Sequence, residues 1–153
     1  CMQKERFDRF LLPKYMEANI PIFATCRGMQ SMYVTLGGKL NQHMSHEANP
    51  SHDGGKLVHG ITFENQHIIP GFAEITQHKP GEYKINSRHH QTVNEETKPE
   101  IVTILARHST DNEIEFATTF PFYPCHMTQH HVEDTSDPAT VFLIKHLLTL
   151  NDE

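Results

Sequence analysis

The sequence predicts an α/β protein, on three observations. Short apolar runs rich in β-branched and aromatic residues alternate with segments whose apolar residues recur at helical spacing. A strand, a sharp turn and a helix follow one another near the start of the chain, and a second well-signalled helix lies near its end. The 153 residues suit one domain with its own core. We therefore expect a single α/β domain over 1–153.

The first third of the chain is predicted to form helix, strand and helix. Residues 3–19 carry apolar side chains near helical spacing, and Pro13 is expected to kink or divide that helix. The apolar run 20–25 predicts a buried strand. Residues 28–36 span about two helical turns and end at a glycine pair, a common helix stop.

The polar composition of residues 40–55 predicts a loop. Later runs of apolar, β-branched and aromatic residues each predict a strand. They cover 57–63, 83–86, 101–106 and 114–118. Residues 109–112 are suited to a hairpin turn between the last two.

The chain closes with a predicted helix over 138–150. Asp137 is the expected N-cap, with a proline at the first helical position. The apolar residues expected along one side of this helix are Val141, Ile144, Leu147 and Leu148.

The composition and net charge favour a globular protein and argue against a nucleic-acid-binding one. Charged residues make up 21% and hydrophobic ones 37%, which is typical of a globular chain, and the net charge of −6 argues against nucleic-acid binding. Three widely spaced cysteines do not form a disulfide framework. The sequence shows no signal peptide and no apolar stretch of about 18 residues. We expect a soluble, cytoplasmic protein.

Cys26 lies where the predicted strand turns into the predicted helix. A nucleophile on such a turn is lifted out of the sheet, and the helix N-terminus behind it favours the thiolate. Gly28 suits a place where backbone approaches backbone closely. The alternative for Cys26 is a buried, inert thiol at the end of a core strand.

Three blocks, in order, carry a family resemblance. They are Cys26–Gln30 followed by Leu36-Gly37-Gly38, then Ile85–Gln91, then Gln129–Glu133. Together they resemble class I glutamine amidotransferase-like proteins, and more narrowly the peptidase C26 branch that contains γ-glutamyl-γ-aminobutyrate hydrolases. The resemblance extends from about Gln3 to the C-terminus. It implies a flavodoxin-like three-layer sandwich, here without its N-terminal part.

The resemblance also implies roles for individual residues. Cys26 corresponds to the nucleophile, His131 to the general base and acid, and Glu133 to the carboxylate that orients the histidine. Arg27 supplies an oxyanion-binding backbone N–H, with Gly28 beside it at the elbow. The residues implied to bind a γ-glutamyl substrate are Gln30, Asn86, Ser87, His89, His90 and Gln91. A polar network that stabilises a turn is an equally suitable role for Asn86, His89, His90 and Gln91. No cofactor and no metal are implied.

The expected reaction is hydrolysis of a γ-glutamyl amide through a thioester. Family members carry a further N-terminal unit with early strands and a second oxyanion donor, which this sequence lacks. We therefore expect that the sequence is a fragment, that a second chain or a homo-oligomer supplies this unit, or that catalysis has been lost. The alternatives are a catalytically impaired binding or assembly subunit, and a glutaminase subunit that feeds ammonia to a synthetase partner.

For several polar residues the sequence leaves other interpretations open. His131 could be a surface histidine and Glu133 a solvated carboxylate near the last helix. Glu115 is expected to shape the strand edge and the floor of the site. A zinc site is an alternative by residue type, although neighbouring histidines on an extended segment face opposite sides. Its candidate ligands are Cys125, His126, His130 and His131.

Overall fold

A computed structural model describes residues 2–42, 53–88, 91–132 and 137–150 of the chain. The helices are α1 (Met2–Glu17), α2 (Arg27–Thr35), α3 (Phe72–Ile75) and α4 (Pro138–Thr149). The strands are β1 (Ile22–Thr25), β2 (Leu40–Asn41), β3 (Asp53–Phe63), β4 (Tyr83–Arg88), β5 (Thr92–Val93), β6 (Thr103–His108), β7 (Ile114–Thr118) and β8 (Cys125–Thr128). Within these ranges, no helix has the length and apolar character needed to cross a membrane.

The main sheet is mixed and has the strand order β1-β8-β7-β6-β3-β4. β1 and β8 run parallel, with Thr25 opposite Thr128, whereas the other neighbouring pairs are antiparallel. β2 and β5 form a separate antiparallel ribbon. Because β1 and β8 are parallel, their carboxyl ends lie side by side at one edge of the sheet.

Buried apolar clusters cover both faces of this sheet. On one face, Met29 and Met32 of α2 pack with Ala24 and Met127 of the adjacent strands. On the other, Leu143 of α4 belongs to a cluster with residues of β3, β4 and β7. The result is a layer of sheet between two layers of helix, so the predicted α/β sandwich is confirmed.

The proline in α1 does not divide the helix. Pro13 lies inside a single element that runs from Met2 to Glu17, contrary to a split at that position. Leu12 and Met16, on either side of Pro13, pack against the apolar cluster under α2. We infer that this packing offsets the hydrogen bond that proline cannot donate.

Of the four apolar residues predicted along one side of α4, only Leu147 is buried. The helix buries Ala139, Thr140, Leu143 and Leu147, whereas Leu148 is 63% exposed. Val141 and Ile144 are also exposed. The helix has apolar residues on both sides, so spacing alone does not select the inward face; packing against the sheet does. Its N-terminus is as predicted, because Asp137 accepts a hydrogen bond from the Thr140 N–H at 3.0 Å.

Several strands differ from the predictions. The segment 40–55, expected to be a loop, contains β2 and the first residues of β3. β5 and β8 were not predicted. The sequence of β8 is Cys-His-Met-Thr, which contains one β-branched residue and therefore has a weak local preference for a strand. The hairpin between β6 and β7 is confirmed, with Asn112 in the left-handed conformation at φ 69°.

Two glycines differ in what a side chain would meet. A Cβ at Gly60 would overlap the backbone of Gly81, so that β3 position requires glycine. A Cβ at Gly28 would lie 3.8 Å from Ala24 Cβ, an ordinary contact. The close backbone approach predicted at Gly28 is therefore wrong.

This contrast yields a matched pair of variants. Gly60→Ala should lower the free energy of unfolding by about 1–3 kcal/mol, because backbone must move to admit the methyl group. Gly28→Ala should change it by less than about 1 kcal/mol, in the stabilising direction, because alanine suits a helix. Urea denaturation followed by circular dichroism measures both. Equal effects in the two variants would contradict the close contact at Gly60.

Candidate active site

Cys26 lies on a strained turn between β1 and α2. Its backbone has φ 50° and ψ −110°, a conformation that a residue with a Cβ rarely adopts. The Cys26 N–H donates to the Thr128 carbonyl at 2.8 Å, and its own carbonyl accepts from the Gln30 N–H at 3.3 Å. The predicted strand–turn–helix at Cys26 is confirmed, and its positive φ falls on the cysteine.

The chain leaving β8 passes directly beside this turn. Gln129 follows β8 and is fully buried, and its Nε2 lies 3.9 Å from Cys26 Sγ. The Gln129 N–H donates to the Glu115 carbonyl on β7 at 2.8 Å, which extends the sheet by one residue. The parallel pairing of β1 and β8 thus brings the first and third sequence blocks together.

His130 faces away from this turn, toward α4. Its side chain is fully buried, and its Nε2 lies 2.9 Å from Asp137 Oδ2. Its ring also contacts the hydroxyls of Thr128 and Thr140. Burial works against the Asp137 charge, but hydrogen bonds from His130 and Tyr83 hold the pKa of Asp137 at about 2. These contacts give His130 a structural role at the N-terminus of α4.

His131 is held through its main chain by Asn86 of β4. The His131 N–H donates to Asn86 Oδ1 at 2.9 Å, and Asn86 Nδ2 donates to the His131 carbonyl at 2.6 Å. Asn86 is fully buried, whereas His131 is half-buried. The amide of Asn86 therefore clamps the segment that carries His131, which agrees with the polar network among its two predicted roles.

Two of the predicted substrate-binding residues contact each other. Gln30 and Gln91 are joined by a 2.9 Å hydrogen bond from Gln30 Nε2 to the Gln91 carbonyl. Both line a cleft of about 210 Å³ beside α2. Of the remaining predicted site residues, His89, His90 and Glu133 lie outside the described residues, and for Ser87 only the backbone in β4 is described.

Arg27, the residue after Cys26, connects two helices. Arg27 forms an ion pair with Asp8 of α1 at 2.8 Å, and the Ser31 hydroxyl donates to the same carboxylate oxygen at 3.2 Å. Arg27 also lines the cleft. The side chain therefore fixes α2 against α1, beside the turn that carries Cys26.

A buried histidine–carboxylate pair lies next to Gln129 in the sheet. His59 Nε2 and Glu115 Oε1 are 3.7 Å apart, and the His59 ring stacks on His108 with centroids 4.1 Å apart. Burial raises the pKa of Glu115 well above its usual range, and the charges of Asp111 and Glu113 raise it further. The Gln129 N–H bonds to the Glu115 carbonyl, so the backbone of Glu115 lies beside the segment that carries the third block. Its role in the floor of the site stays a prediction.

The zinc alternative does not fit the structure. Cys125 packs in the apolar cluster on the α2 face, while His126 bonds to His146 of α4 on the other face. Across the described ranges, no three His, Cys, Asp or Glu side chains are grouped so as to hold a metal ion.

Gln129 had no predicted role of its own. It opens the third block, Gln129–Glu133, so its place in that block was the available signal. Periodicity could not have found it, because its contact with Cys26 depends on the pairing of β8 with β1.

The fold is that of class I glutamine amidotransferases, which have a flavodoxin-like architecture. A glutamine amidotransferase from Thermotoga maritima superposes with a TM-score of 0.58 at 13% identity, covering 96% of this chain and 53% of that one. One from Methylobacillus flagellatus gives 0.58 at 13% identity, covering 95% and 49%.

The chain belongs to the Peptidase C26 family, whose model matches residues 2–133. Protein NtpR of Enterococcus hirae is 33% identical over 96 residues, which cover 61% of this chain and 40% of that protein. The glutamine amidotransferase-like protein YvdE of Lactococcus lactis is 31% identical over 95 residues, covering 59% and 38%. The matched region thus spans about two fifths of these relatives' own lengths.

Cys26 should be the more reactive of the two described cysteines. Burial raises the pKa of the Cys125 thiol to about 12, whereas Cys26 is half-buried at a helix N-terminus. Iodoacetamide near neutral pH should label Cys26 at least about tenfold faster, read by peptide mass spectrometry. The Cys26→Ser variant identifies which labelled peptide contains Cys26. Faster labelling of Cys125 than of Cys26 would contradict this prediction.

Proposed function

We propose that this protein is a thiol hydrolase that cleaves a γ-glutamyl amide bond, of the glutamine or γ-glutamyl-amine type. The observation that carries the proposal is the strained turn at Cys26, set beside the end of β8. Its backbone conformation is kept by contacts from both β8 and α2. Strain that the surrounding structure maintains is typical of nucleophile turns.

The chemistry assigned to Cys26 and His131 is acyl transfer. His131 takes the thiol proton, and the thiolate sulfur attacks the γ-carbonyl carbon, so that a C–S bond forms and the carbonyl becomes an oxyanion. The intermediate collapses to a thioester as the C–N bond breaks, and the protonated His131 returns the proton to the leaving amine. Water, activated by His131, then hydrolyses the thioester.

We assign the base to His131 rather than His130, because the His130 side chain is buried against Asp137. Consecutive side chains on an extended segment alternate between the two faces of a sheet. Gln129 is on the Cys26 side and His130 is buried against Asp137 on the other side. We assign Glu133, two residues further on, the task of orienting the His131 ring.

The oxyanion is assigned to the backbone N–H of Arg27. It is the first residue of α2, and the positive end of the helix favours negative charge there. Gly28 continues the same helical turn without a side chain. The γ-glutamyl group is assigned to the cleft lined by Gln30 and Gln91. The assignment of Asn86, Ser87, His89 and His90 to substrate binding rests on the family resemblance alone.

Hydrolysis of γ-glutamyl-p-nitroanilide, and ammonia release from glutamine, test the proposal. Cys26→Ala and His131→Asn should each lower kcat/KM by about 1,000-fold or more, because nucleophile and base act as a unit. Cys125→Ala should keep kcat/KM within about threefold, because this thiol packs in the core and has no part in the assigned chemistry.

His130→Asn is the matched control for His131→Asn. It should lower the melting temperature through the loss of the buried Asp137 contact, an effect that His131→Asn should not share. A wild-type protein no more active than Cys26→Ala would contradict the proposal and favour a binding or assembly role.

We also propose that a second polypeptide segment covers the outer edge of β1, in the form of a second chain or another copy of this one. In the described part of the sheet, β1 is outermost and pairs only with β8. The Ile22 and Cys26 N–H groups donate toward β8, so those of Phe23 and Thr25 point outward. Apolar side chains cluster near the start of β1, where Ile20 is 45% and Phe122 76% exposed.

Light scattering on the 153-residue chain tests this second proposal. The chain should show a mass above its monomer value of 17.6 kDa that falls on dilution, because the edge and the apolar residues beside it favour association. Leu148→Glu, on the exposed side of α4, should leave that mass unchanged. A monomer at every concentration would exclude another copy of this chain as the occupant and leave a different second chain. Dissociation by Leu148→Glu would contradict an interface at β1.

A further inference from the structure

Three residues from three distant parts of the sequence form a chain of amide contacts that ends on Cys26. Gln30 Nε2 donates to the Gln91 carbonyl at 2.9 Å and to Gln129 Oε1 at 3.4 Å. Gln129 Nε2 in turn points at Cys26 Sγ at 3.9 Å. The order of contacts is therefore Gln91, Gln30, Gln129 and Cys26.

The hydrogen-bond partners of Gln129 identify which group of its side-chain amide, the oxygen or the NH₂, lies next to the sulfur. Gln30 offers an N–H group, so the Gln129 atom that faces it is the carbonyl oxygen. The amide plane then turns the NH₂ group of Gln129 toward Cys26. The backbone of Gln129 is held by the Glu115 carbonyl at 2.8 Å, so both ends of the residue are fixed.

An amide N–H beside a cysteine favours the thiolate over the thiol. A hydrogen bond to the charged form of a group stabilises that form, and donors to an anion contribute more than donors to a neutral acceptor. A neutral amide also keeps its own protons, so it does not compete with His131 for the thiol proton. Gln129 is fully buried and Cys26 is half-buried, so the contact is partly shielded from solvent.

We propose that Gln129 is a further positioning residue of the site, which holds the Cys26 thiolate through its NH₂ group and is itself oriented by Gln30. The proposal rests on Cys26 being the nucleophile. It gives Gln30 a task besides lining the cleft: its single side-chain nitrogen ties Gln91, at the cleft, to Gln129, at the sulfur.

The test is the pH dependence of Cys26 alkylation by iodoacetamide, followed by peptide mass spectrometry, which requires no turnover. Gln129→Leu removes the donor and should raise the midpoint of the profile by about half a pH unit. Gln129→Glu keeps the shape but places a carboxylate beside the sulfur, so it should raise the midpoint by more than about one unit. Gln30→Leu should give a smaller rise than Gln129→Leu.

Gln66→Leu is the matched control, because Gln66 also uses its amide nitrogen in a hydrogen bond, to Thr76. Its midpoint should equal that of the wild type. A wild-type midpoint in Gln129→Leu overturns the proposal. If Gln129→Leu fails to fold, Gln129→Met, which nearly keeps the side-chain length and also lacks the donor, decides by the same criterion. A Cys26 that resists alkylation at every pH overturns the assigned nucleophile as well, so the two failures are distinguishable.

Discussion

The parallel pairing of β1 with β8 is the constraint on which the site depends. The two strands are distant in sequence, and their register sets Thr25 opposite Thr128. The Cys26 N–H then bonds to the Thr128 carbonyl, so the last hydrogen bond of the strand pair also holds the strained turn. A slip of one residue would send each side chain of β8 to the opposite face and would separate Gln129 from Cys26.

The alternation of side chains along the end of β8 divides the polar residues between two tasks. Gln129 faces α2 and the sulfur, and His130 faces α4, where Asp137 caps the helix and also binds the His130 ring. The same carboxylate accepts a hydrogen bond from Tyr83 of β4. One face of the segment therefore serves the candidate chemistry, and the other anchors α4 to the sheet.

Three amide side chains near the site, those of Gln30, Asn86 and Gln129, are buried and hydrogen-bonded. Asn86 meets both main-chain groups of His131, and Gln30 meets two acceptors from other segments. Buried polar groups that lose such partners cost free energy, so these networks favour one arrangement of the segments. That rigidity suits a site in which a sulfur, a base and an amide donor must converge within a few ångströms.

The sequence alone was sufficient to predict the α/β class, the turn at Cys26, the β6–β7 hairpin and the start of α4 at Asp137. These features depend on local signals, namely short apolar runs, turn residues and a capping side chain. The three ordered blocks were also sufficient to predict the family, because they can be recognised in the sequence itself.

Tertiary structure decided the rest. It selected Leu143 over Val141 for the inward face of α4, since apolar residues lie on both sides of that helix. It made a strand of Cys125–Thr128, which lacks a strong local preference but pairs with β1 and β7. It also brought Gln129 to Cys26. Contacts between residues a hundred positions apart depend on which strands are neighbours and in which register, and local pattern carries neither.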